Sequence, residues 1–192
     1  MKLLNNVGAV ILAAGESRRM TKPKPFLRYN SKMRFIDKII DEYREFGINN
    51  IVIVVNNKIF PRLNIDDSIS VVLNQHLKYE RFYSIKLGLD KFLNRNFCFI
   101  QNVDNPFVNQ DVLRQLYLNR ISDGCTVPVF NELGGHPILL GRKVIKKIAY
   151  SESNNINFKE LLTEFKSRRV EVNDNSILIN INTPEDYKKY FN

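Results

Sequence analysis

The sequence contains few of the residues that form metal centres, disulfide scaffolds or membrane spans. It has two cysteines, two histidines and no tryptophan in 192 residues. Cys98 and Cys125 lie far apart in apolar runs, which favours buried free thiols over a disulfide framework or a zinc site. No apolar run approaches the ~20 residues that a membrane-spanning helix needs, and Met1–Asn6 is too short and polar for a signal peptide. These absences predict a cytoplasmic protein with no membrane partner.

The composition is that of a globular protein with an uneven distribution of positive charge. Hydrophobic residues make up 44% and charged residues 26% of the chain, which predicts one domain over residues 1–192. The net charge of +9 is compatible with nucleic-acid binding. However, much of the excess lies between Glu16 and Arg34, while lysines and acids mix elsewhere. The distribution predicts a local anion-binding site and no nucleic-acid partner.

The segment Gly8–Lys24 combines an apolar run, a turn of small residues and a group of cations. Val10–Leu12 predicts a buried strand, and Ala13–Gly15 lets backbone N–H groups approach a bulky anion. Positive charge beside this turn comes from Arg18, Arg19, Lys22 and Lys24. Neither the Walker A motif nor G-x-G-x-x-G is present. The segment predicts a nucleoside triphosphate site, the alternative being an ordinary turn with a solvated basic face.

Hydrophobic periodicity predicts strands that alternate with helices along the chain. Strands are predicted at Val7–Leu12, Ile51–Val55, Ile69–Leu73, Phe97–Gln101, Cys125–Val129, Pro137–Leu140, near Val170–Val172 and at Ile177–Asn180. Helices are predicted at Met33–Phe46, Glu80–Phe92, Asn109–Asn119, Lys143–Tyr150, Phe158–Phe165 and from Thr183 onward. This order indicates an α/β sandwich around a mostly parallel sheet.

Ligands in such folds bind beyond the carboxyl ends of the strands. The loops of interest therefore follow Leu12, Leu73, Val103 and Ile181. Asp104 is suited to a hard cation such as Mg²⁺, which takes one or two protein oxygens together with phosphate oxygens and water. Its alternative role is turn formation.

The first of these loops resembles a signature of the nucleotidyltransferases with a Rossmann-like fold. Leu12-Ala13-Ala14-Gly15-x-Ser17-x-Arg19-Met20, followed by Pro23-Lys24, is most similar to the molybdopterin cytidylyltransferase group. The resemblance implies a three-layer sandwich of the nucleotide-diphospho-sugar transferase type, with helices on both sheet faces. It also implies a set of nucleotide-binding residues in this loop: Leu12, Ala13, Ala14, Gly15, Ser17 and Arg18.

The resemblance extends to the other loops. It implies that Asp104 binds Mg²⁺, with Asn182 as a second ligand. The family often has aspartates where this chain has Asn180 and Asn182, so an amide oxygen without charge replaces a carboxylate; Asn182 alternatively only caps the last helix. The base-side wall would be formed by Asn74 and Ser84, and the acceptor would contact Gly135 and His136.

The reaction implied by the resemblance is attack of an acceptor phosphate on the α-phosphate of a nucleotide, with Arg19, Lys24 and Asp104 as the catalytic residues. Ala14 and Ser17 favour CTP over GTP or ATP, because the guanine-selecting branch commonly has glycine at both positions. Molybdopterin is the expected acceptor and a molybdoenzyme a transient partner. Three alternatives are open: a sugar or alditol phosphate acceptor, a non-catalytic nucleotide-binding chaperone for molybdoenzyme maturation, and a nucleic-acid-binding module.

Overall fold

The computed structural model describes residues 4–191 and contains one eight-stranded sheet flanked by helices. The strands are β1 Val7–Leu12, β2 Ile51–Val55, β3 Ser70–Leu73, β4 Phe97–Asn102, β5 Gly124–Phe130, β6 Leu133–Gly134, β7 Ile138–Gly141 and β8 Lys166–Glu171. The helices are α1 Phe35–Glu45, α2 Glu80–Leu89, α3 Gln110–Leu118, α4 Arg142–Ala149, α5 Phe158–Thr163 and α6 Pro184–Phe191. None of the described helices is both long and apolar enough to cross a membrane.

The sheet is mixed, with a parallel half and a largely antiparallel half. Its strand order is β3-β2-β1-β4-β7-β5-β6, and β8 pairs with β5. Strands β1 to β4 run parallel, whereas β7 is antiparallel to both β4 and β5. The carboxyl ends of β1 and β4 are direct neighbours, since Leu12 is paired with Asn102. Two of the predicted ligand-binding loops therefore start side by side.

Helices cover both faces of the sheet because the buried strands are apolar on both sides. In β1, Ala9 and Ile11 join the core beneath α1, whereas Val10 joins a second core beneath α2 and α4. The apolar stripe predicted for the first helix is buried, as in Phe35 and Ile39. Pairing and layering thus confirm the predicted α/β fold with a Rossmann-like sheet.

Two local predictions were wrong. The segment predicted as a strand at Ile177–Asn180 begins instead within a 3₁₀ turn at Asn175–Leu178. The physical reason is the buried Asn105 side chain, whose Nδ2 donates to the carbonyls of Ser176 at 2.9 Å and Ile179 at 2.7 Å. Those carbonyls bond to a side chain rather than to a neighbouring strand. In addition, the predicted Gly134–Gly135 loop contains the second residue of the short strand β6.

Candidate functional site

The loops after β1 and β4 and the start of α2 enclose a cavity of about 430 Å³, referred to below as the first cavity. Its lining includes most of the residues predicted to bind nucleotide, together with two predicted catalytic residues: Leu12, Ala13, Ala14, Gly15, Ser17, Ser84, Lys24 and Asp104. Four other predicted residues, Arg18, Arg19, Asn74 and Asn182, do not line it. The structure thus brings three segments that are distant in sequence to one opening.

The turn after β1 is held in place by side chains and leaves open space beside Gly15. Asn56, which is buried, donates its Nδ2 to the Ala14 carbonyl at 2.9 Å. Ser17 has a φ of 51° and accepts a hydrogen bond at Oγ from the Lys24 backbone N–H at 3.2 Å. A Cβ added to Gly15 would meet no atom within 4 Å. The backbone of this turn is therefore accessible to a bulky ligand.

Lys24, Asp104 and Asn182 form a polar cluster at the edge of the first cavity. The Lys24 Nζ lies 2.9 Å from Asp104 Oδ2 and 2.7 Å from Asn182 Oδ1. The Lys24 and Asp104 side chains are only 15% and 23% exposed, so water screens this ion pair weakly. The cluster places the Lys24 ammonium beside the turn at Gly15, with a carboxylate oxygen and an amide oxygen around it.

The position of Asn182 depends on two neighbouring contacts. The Ile181 backbone N–H donates to the Asp104 carbonyl at 2.8 Å, which ties the segment before α6 to the loop after β4. Asp186 Oδ2 accepts from the Asn182 N–H at 2.9 Å, and this hydrogen bond is the main cause that lowers the pKa of Asp186. The same oxygen accepts from the Thr183 N–H at 2.9 Å, while Thr183 Oγ1 accepts from the Asp186 N–H, a capping box at α6.

The oxygen atoms of Asp104 and Asn182 around Lys24 could bind a divalent cation whose remaining ligands are phosphate oxygens and water. Asp104 Oδ1 is buried and has no hydrogen-bond partner among residues 4–191, so it is free to accept a metal. Asn182 supplies an amide oxygen across the cluster. The described residues contain no group of three or more His, Cys, Asp or Glu that could hold a metal by themselves. One carboxylate and one amide oxygen suit Mg²⁺ with phosphate and water in the remaining positions.

Asn74 and Ser84, the predicted base-side pair, contact each other at the wall of the first cavity. Asn74 Nδ2 donates to Ser84 Oγ at 2.9 Å, and both residues are buried. Asn74 Oδ1 accepts from the His76 backbone N–H at 2.8 Å. Ser84 lines the cavity, whereas Asn74 does not line it and contacts the cavity only through its hydrogen bond to Ser84.

A second cavity of about 1000 Å³ adjoins the first and contains both residues predicted to contact the acceptor, Gly135 and His136. Its wall includes apolar side chains from several elements, among them Phe82, Val127, Leu133, Ile138, Ile156, Phe158, Leu162 and Phe165. The partly buried His136 accepts at Nε2 from Asn102 Nδ2, with 3.1 Å between the two nitrogens. Burial and then the charge of Arg81 lower the pKa of His136 to about 4, so its imidazole is neutral at pH 7.

Arg18 and Arg19 are exposed and lie outside the wall of the first cavity. The Arg18 Nη2 is paired with Glu16 Oε2 at 2.5 Å. Arg19 acts electrostatically on Asp186, where its charge helps to lower the pKa. Both arginines remain at the rim, within the loop that carries Gly15.

Four side chains that shape the site were not predicted from the sequence: Asn56, Arg81, Asn102 and Asn105. Asn56 follows strand β2 directly, as Asn74 follows β3, so its place after a buried strand was an available signal. Asn105 directly follows Asp104 in the sequence, so its place in the same loop was also an available signal. Arg81 had no comparable signal, because a cation at the start of an amphipathic helix is usually solvated.

Comparison with known proteins shows what the chain resembles. Residues 9–168 match the family described as MobA-like NTP transferase domain. The molybdenum cofactor cytidylyltransferase of Escherichia coli K12 is 25% identical over 187 residues, covering 96% of this chain and 95% of that protein. A probable molybdenum cofactor guanylyltransferase of Natranaerobius thermophilus is 29% identical over 202 residues, covering 97% and 96%.

The fold also occurs in solved structures. The Mycobacterium tuberculosis H37Rv protein Rv0371C, crystallised as a complex with manganese, superposes with a TM-score of 0.77. It is 18% identical, and the alignment covers 99% of this chain and 98% of that one. The family match covers residues 9–168, and the structural similarity shows that nearly the whole chain shares this fold.

Proposed function

Because this chain belongs to the family of MobA-like NTP transferase domains and is a nucleotidyltransferase, we propose that it transfers CMP from CTP to the phosphate of molybdopterin. The single observation that carries the proposal is the cluster of Lys24, Asp104 and Asn182 beside the open turn at Gly15. A cation, a carboxylate with an unpartnered oxygen and accessible backbone amides together suit a triphosphate.

In the proposed complex the triphosphate occupies the first cavity. Backbone N–H groups from Ala14 to Ser17 face its β- and γ-phosphates, and Arg19 closes over them from the rim. Lys24 neutralises charge at the α-phosphate, where negative charge develops during transfer. The weak screening of Lys24 supports this role, because a partly buried ammonium acts strongly on a nearby phosphate.

The proposed chemical step is an in-line displacement at the α-phosphorus. An oxygen of the acceptor phosphate forms a bond to this phosphorus. The bond to the bridging oxygen of the β-phosphate breaks, and its electron pair leaves with pyrophosphate. An ionised phosphate monoester has no proton to lose, so no general base is required. The protein's contribution is positioning and charge stabilisation.

Asp104 and Asn182 would hold Mg²⁺ in this complex, with Asp104 Oδ1 available for it. When bound, the ion neutralises phosphate charge and orients the triphosphate. Asn182 supplies no charge of its own, so the nucleotide phosphates are expected to contribute much of the affinity for the ion.

CTP is proposed over GTP because Ala14 and Ser17 add side chains in the turn that the guanine-selecting branch commonly lacks. Relatives named for both bases match the chain at similar identity, so the choice rests on these two residues. Ser84 belongs to the wall against which the base and ribose would lie, and Asn74 holds the Ser84 hydroxyl by a hydrogen bond.

Molybdopterin is proposed as the acceptor because the second cavity adjoins the first and is large and partly apolar. A cavity of about 1000 Å³ suits a ring system larger than a sugar or alditol phosphate. Gly135 and His136 would contact this acceptor.

Pyrophosphate release tests the proposal and its alternatives. The wild-type protein is incubated with Mg²⁺, each of CTP, GTP and ATP in turn, and molybdopterin, a sugar phosphate or an alditol phosphate. The highest kcat/KM is expected for CTP with molybdopterin. Faster turnover with GTP would overturn the choice of base, and turnover only with a sugar or alditol phosphate would overturn the choice of acceptor.

A further inference from the structure

Arg81 lies where the first and second cavities meet. Of the residues that line the two cavities, Glu80 and Arg81 are common to both. Both belong to the first turn of α2. Glu80 adopts a φ of 53°, an unusual backbone conformation for a residue with a side chain, at the turn that leads into this helix. Of the two residues that line both cavities, Arg81 is the cationic one.

The Arg81 guanidinium has no protein partner for its charge. Within residues 4–191 its side chain forms no ion pair or hydrogen bond, and the side chain is exposed to the cleft. Its Cζ lies 5.5 Å from the centre of the Phe158 ring, a residue of the second cavity. A cation–π contact at this distance attracts the guanidinium to the ring but leaves its five N–H donors unused.

The charge of Arg81 acts across both cavities. It helps to lower the pKa of His136 in the second cavity, while the charge of Asp104 in the first cavity acts on Arg81 itself. An anionic ligand at the junction would supply the missing counter-charge.

We propose that Arg81 binds the phosphate of the acceptor and holds it at the junction, facing the α-phosphate of the nucleotide. This assignment rests on the proposed function in one respect, that the acceptor is a phosphate monoester in the second cavity. In the proposed complex the turn after β1 binds the β- and γ-phosphates. Lys24, which lies beside Asp104, is assigned to the α-phosphate. The acceptor phosphate must reach the α-phosphorus from the second cavity. Lys159 and Arg169 line the second cavity alone, whereas Arg81 is the cationic residue that lines both cavities.

A planar guanidinium suits this task because it can donate two parallel hydrogen bonds to a phosphate and fix its orientation. Bidentate binding would leave the third phosphate oxygen free to attack. A lysine would retain the charge but lose the paired geometry. Arg81 is thus assigned to binding and orienting the acceptor, with no part in nucleotide binding.

The experiment compares the wild type with Arg81→Gln and Arg81→Lys, using Lys78→Gln as a matched control. Lys78 carries the same charge three positions earlier and lines neither cavity. With CTP and molybdopterin, Arg81→Gln is expected to raise the KM for molybdopterin by about tenfold to a hundredfold. The KM for CTP should stay within about twofold, as expected for a group that does not touch it. Arg81→Lys should recover part of the loss, and Lys78→Gln should match the wild type.

An unchanged KM for molybdopterin in Arg81→Gln, or a larger effect on CTP, would overturn the assignment while leaving the proposed function intact. If the wild type has no activity with molybdopterin, the proposed function fails and a second measurement decides on Arg81. Binding of inorganic phosphate is then measured by ³¹P NMR with the first cavity saturated by a non-hydrolysable nucleoside triphosphate. Loss of saturable binding in Arg81→Gln but not in Lys78→Gln supports the assignment, and equal binding in both overturns it.

Discussion

The Lys24 ammonium lies 2.9 Å from Asp104 Oδ2, in an ion pair between residues 80 positions apart in the sequence. Asn182 Oδ1 accepts from the same ammonium at 2.7 Å. Lys24 thus bonds to one oxygen of each residue proposed to hold Mg²⁺. The lysine and a divalent ion would compete for these oxygens, and an ion that binds with nucleotide would release Lys24 toward the α-phosphate.

Replacement of Lys24 should separate metal binding from turnover. Lys24→Met removes the competing cation, so affinity for Mn²⁺ without nucleotide should rise about tenfold, as measured by electron paramagnetic resonance titration. The kcat with CTP and molybdopterin should fall about 10²–10³-fold, because charge at the α-phosphate is no longer neutralised.

Lys32→Met provides the control for this comparison, since Lys32 is exposed in the turn before α1. It should change neither Mn²⁺ affinity nor turnover. If Lys24→Met bound Mn²⁺ more weakly than the wild type, the competition between the lysine and the metal would be refuted.

Two glycines should respond to alanine in opposite ways. Gly15→Ala places its Cβ in open space, so the melting temperature should stay within about 2 °C. The KM for CTP should nevertheless rise about tenfold, because the methyl group fills space that the phosphates need. Gly88→Ala should instead lower stability by about 1–3 kcal/mol, since its Cβ would overlap the Val10 side chain beneath α2.

Calorimetry and steady-state kinetics on both variants test this contrast. A normal KM for CTP in Gly15→Ala would remove the turn from the nucleotide site. A melting temperature unchanged by Gly88→Ala would show that α2 can move away from β1 without loss of stability.

Asn105 should matter for stability more than an exposed asparagine does. Its Nδ2 donates to the carbonyls of Ser176, Ile177 and Ile179, and the residue is fully buried. Asn105→Ala removes the side-chain donor from all three carbonyls. The Ser176 and Ile177 carbonyls still accept from backbone N–H groups, whereas the Ile179 carbonyl loses its donor, and the change should cost about 2–4 kcal/mol in urea unfolding. Asn119→Ala, which removes one exposed bond to the Gln115 carbonyl, should cost less than about 1 kcal/mol. Equal costs would mean that the segment before α6 does not depend on Asn105.

The sequence predicted the elements whose apolar pattern is strong and the sites that follow them. Val7–Leu12 and Ile51–Val55 were predicted with their observed bounds, because both strands are apolar throughout and buried on both faces. Asp104 and Lys24 were predicted as site residues, each from its own loop, and the structure places them together at the first cavity. Their direct contact could not be predicted, since it depends on how two segments fold over the end of the sheet.

The failures have a common physical cause. The segment at Ile177–Asn180 has the composition of a strand, but Asn105 binds its carbonyls and draws it into a turn. Arg81 acquires its role from the two cavities that meet beside it, which no local pattern indicates. At Ile177–Asn180 a long-range contact of a polar side chain overrides local propensity, and at Arg81 the surroundings are assembled by the fold.

His136 should make the protein less stable in mild acid. Its pKa is about 4 in the folded state, lowered mainly by burial and then by Arg81, with Asp104 acting in the opposite direction. The unfolded chain therefore binds a proton below pH 6.5 that the folded chain does not bind. This contribution is present above pH 6.5 and is lost as the pH falls toward 4. Between pH 7.5 and 5.0 it amounts to about 2 kcal/mol.

Urea unfolding of the wild type and His136→Gln at both pH values measures this contribution. The variant should lose less stability on acidification, by about 2 kcal/mol, because it has no imidazole to titrate. The same loss in both proteins would contradict a depressed pKa at His136.

Transfer of the α-phosphate label is the most direct test of nucleotidyl transfer to molybdopterin. CTP labelled at the α-phosphate is mixed with molybdopterin and Mg²⁺, and the products of the wild type and of Asp104→Ala are separated by chromatography. The wild type should place the label in a molybdopterin–cytidine dinucleotide and release unlabelled pyrophosphate, and Asp104→Ala should do so at least about 10²-fold more slowly. A label that remains in CTP with the wild type, or equal rates in the two proteins, would contradict the account.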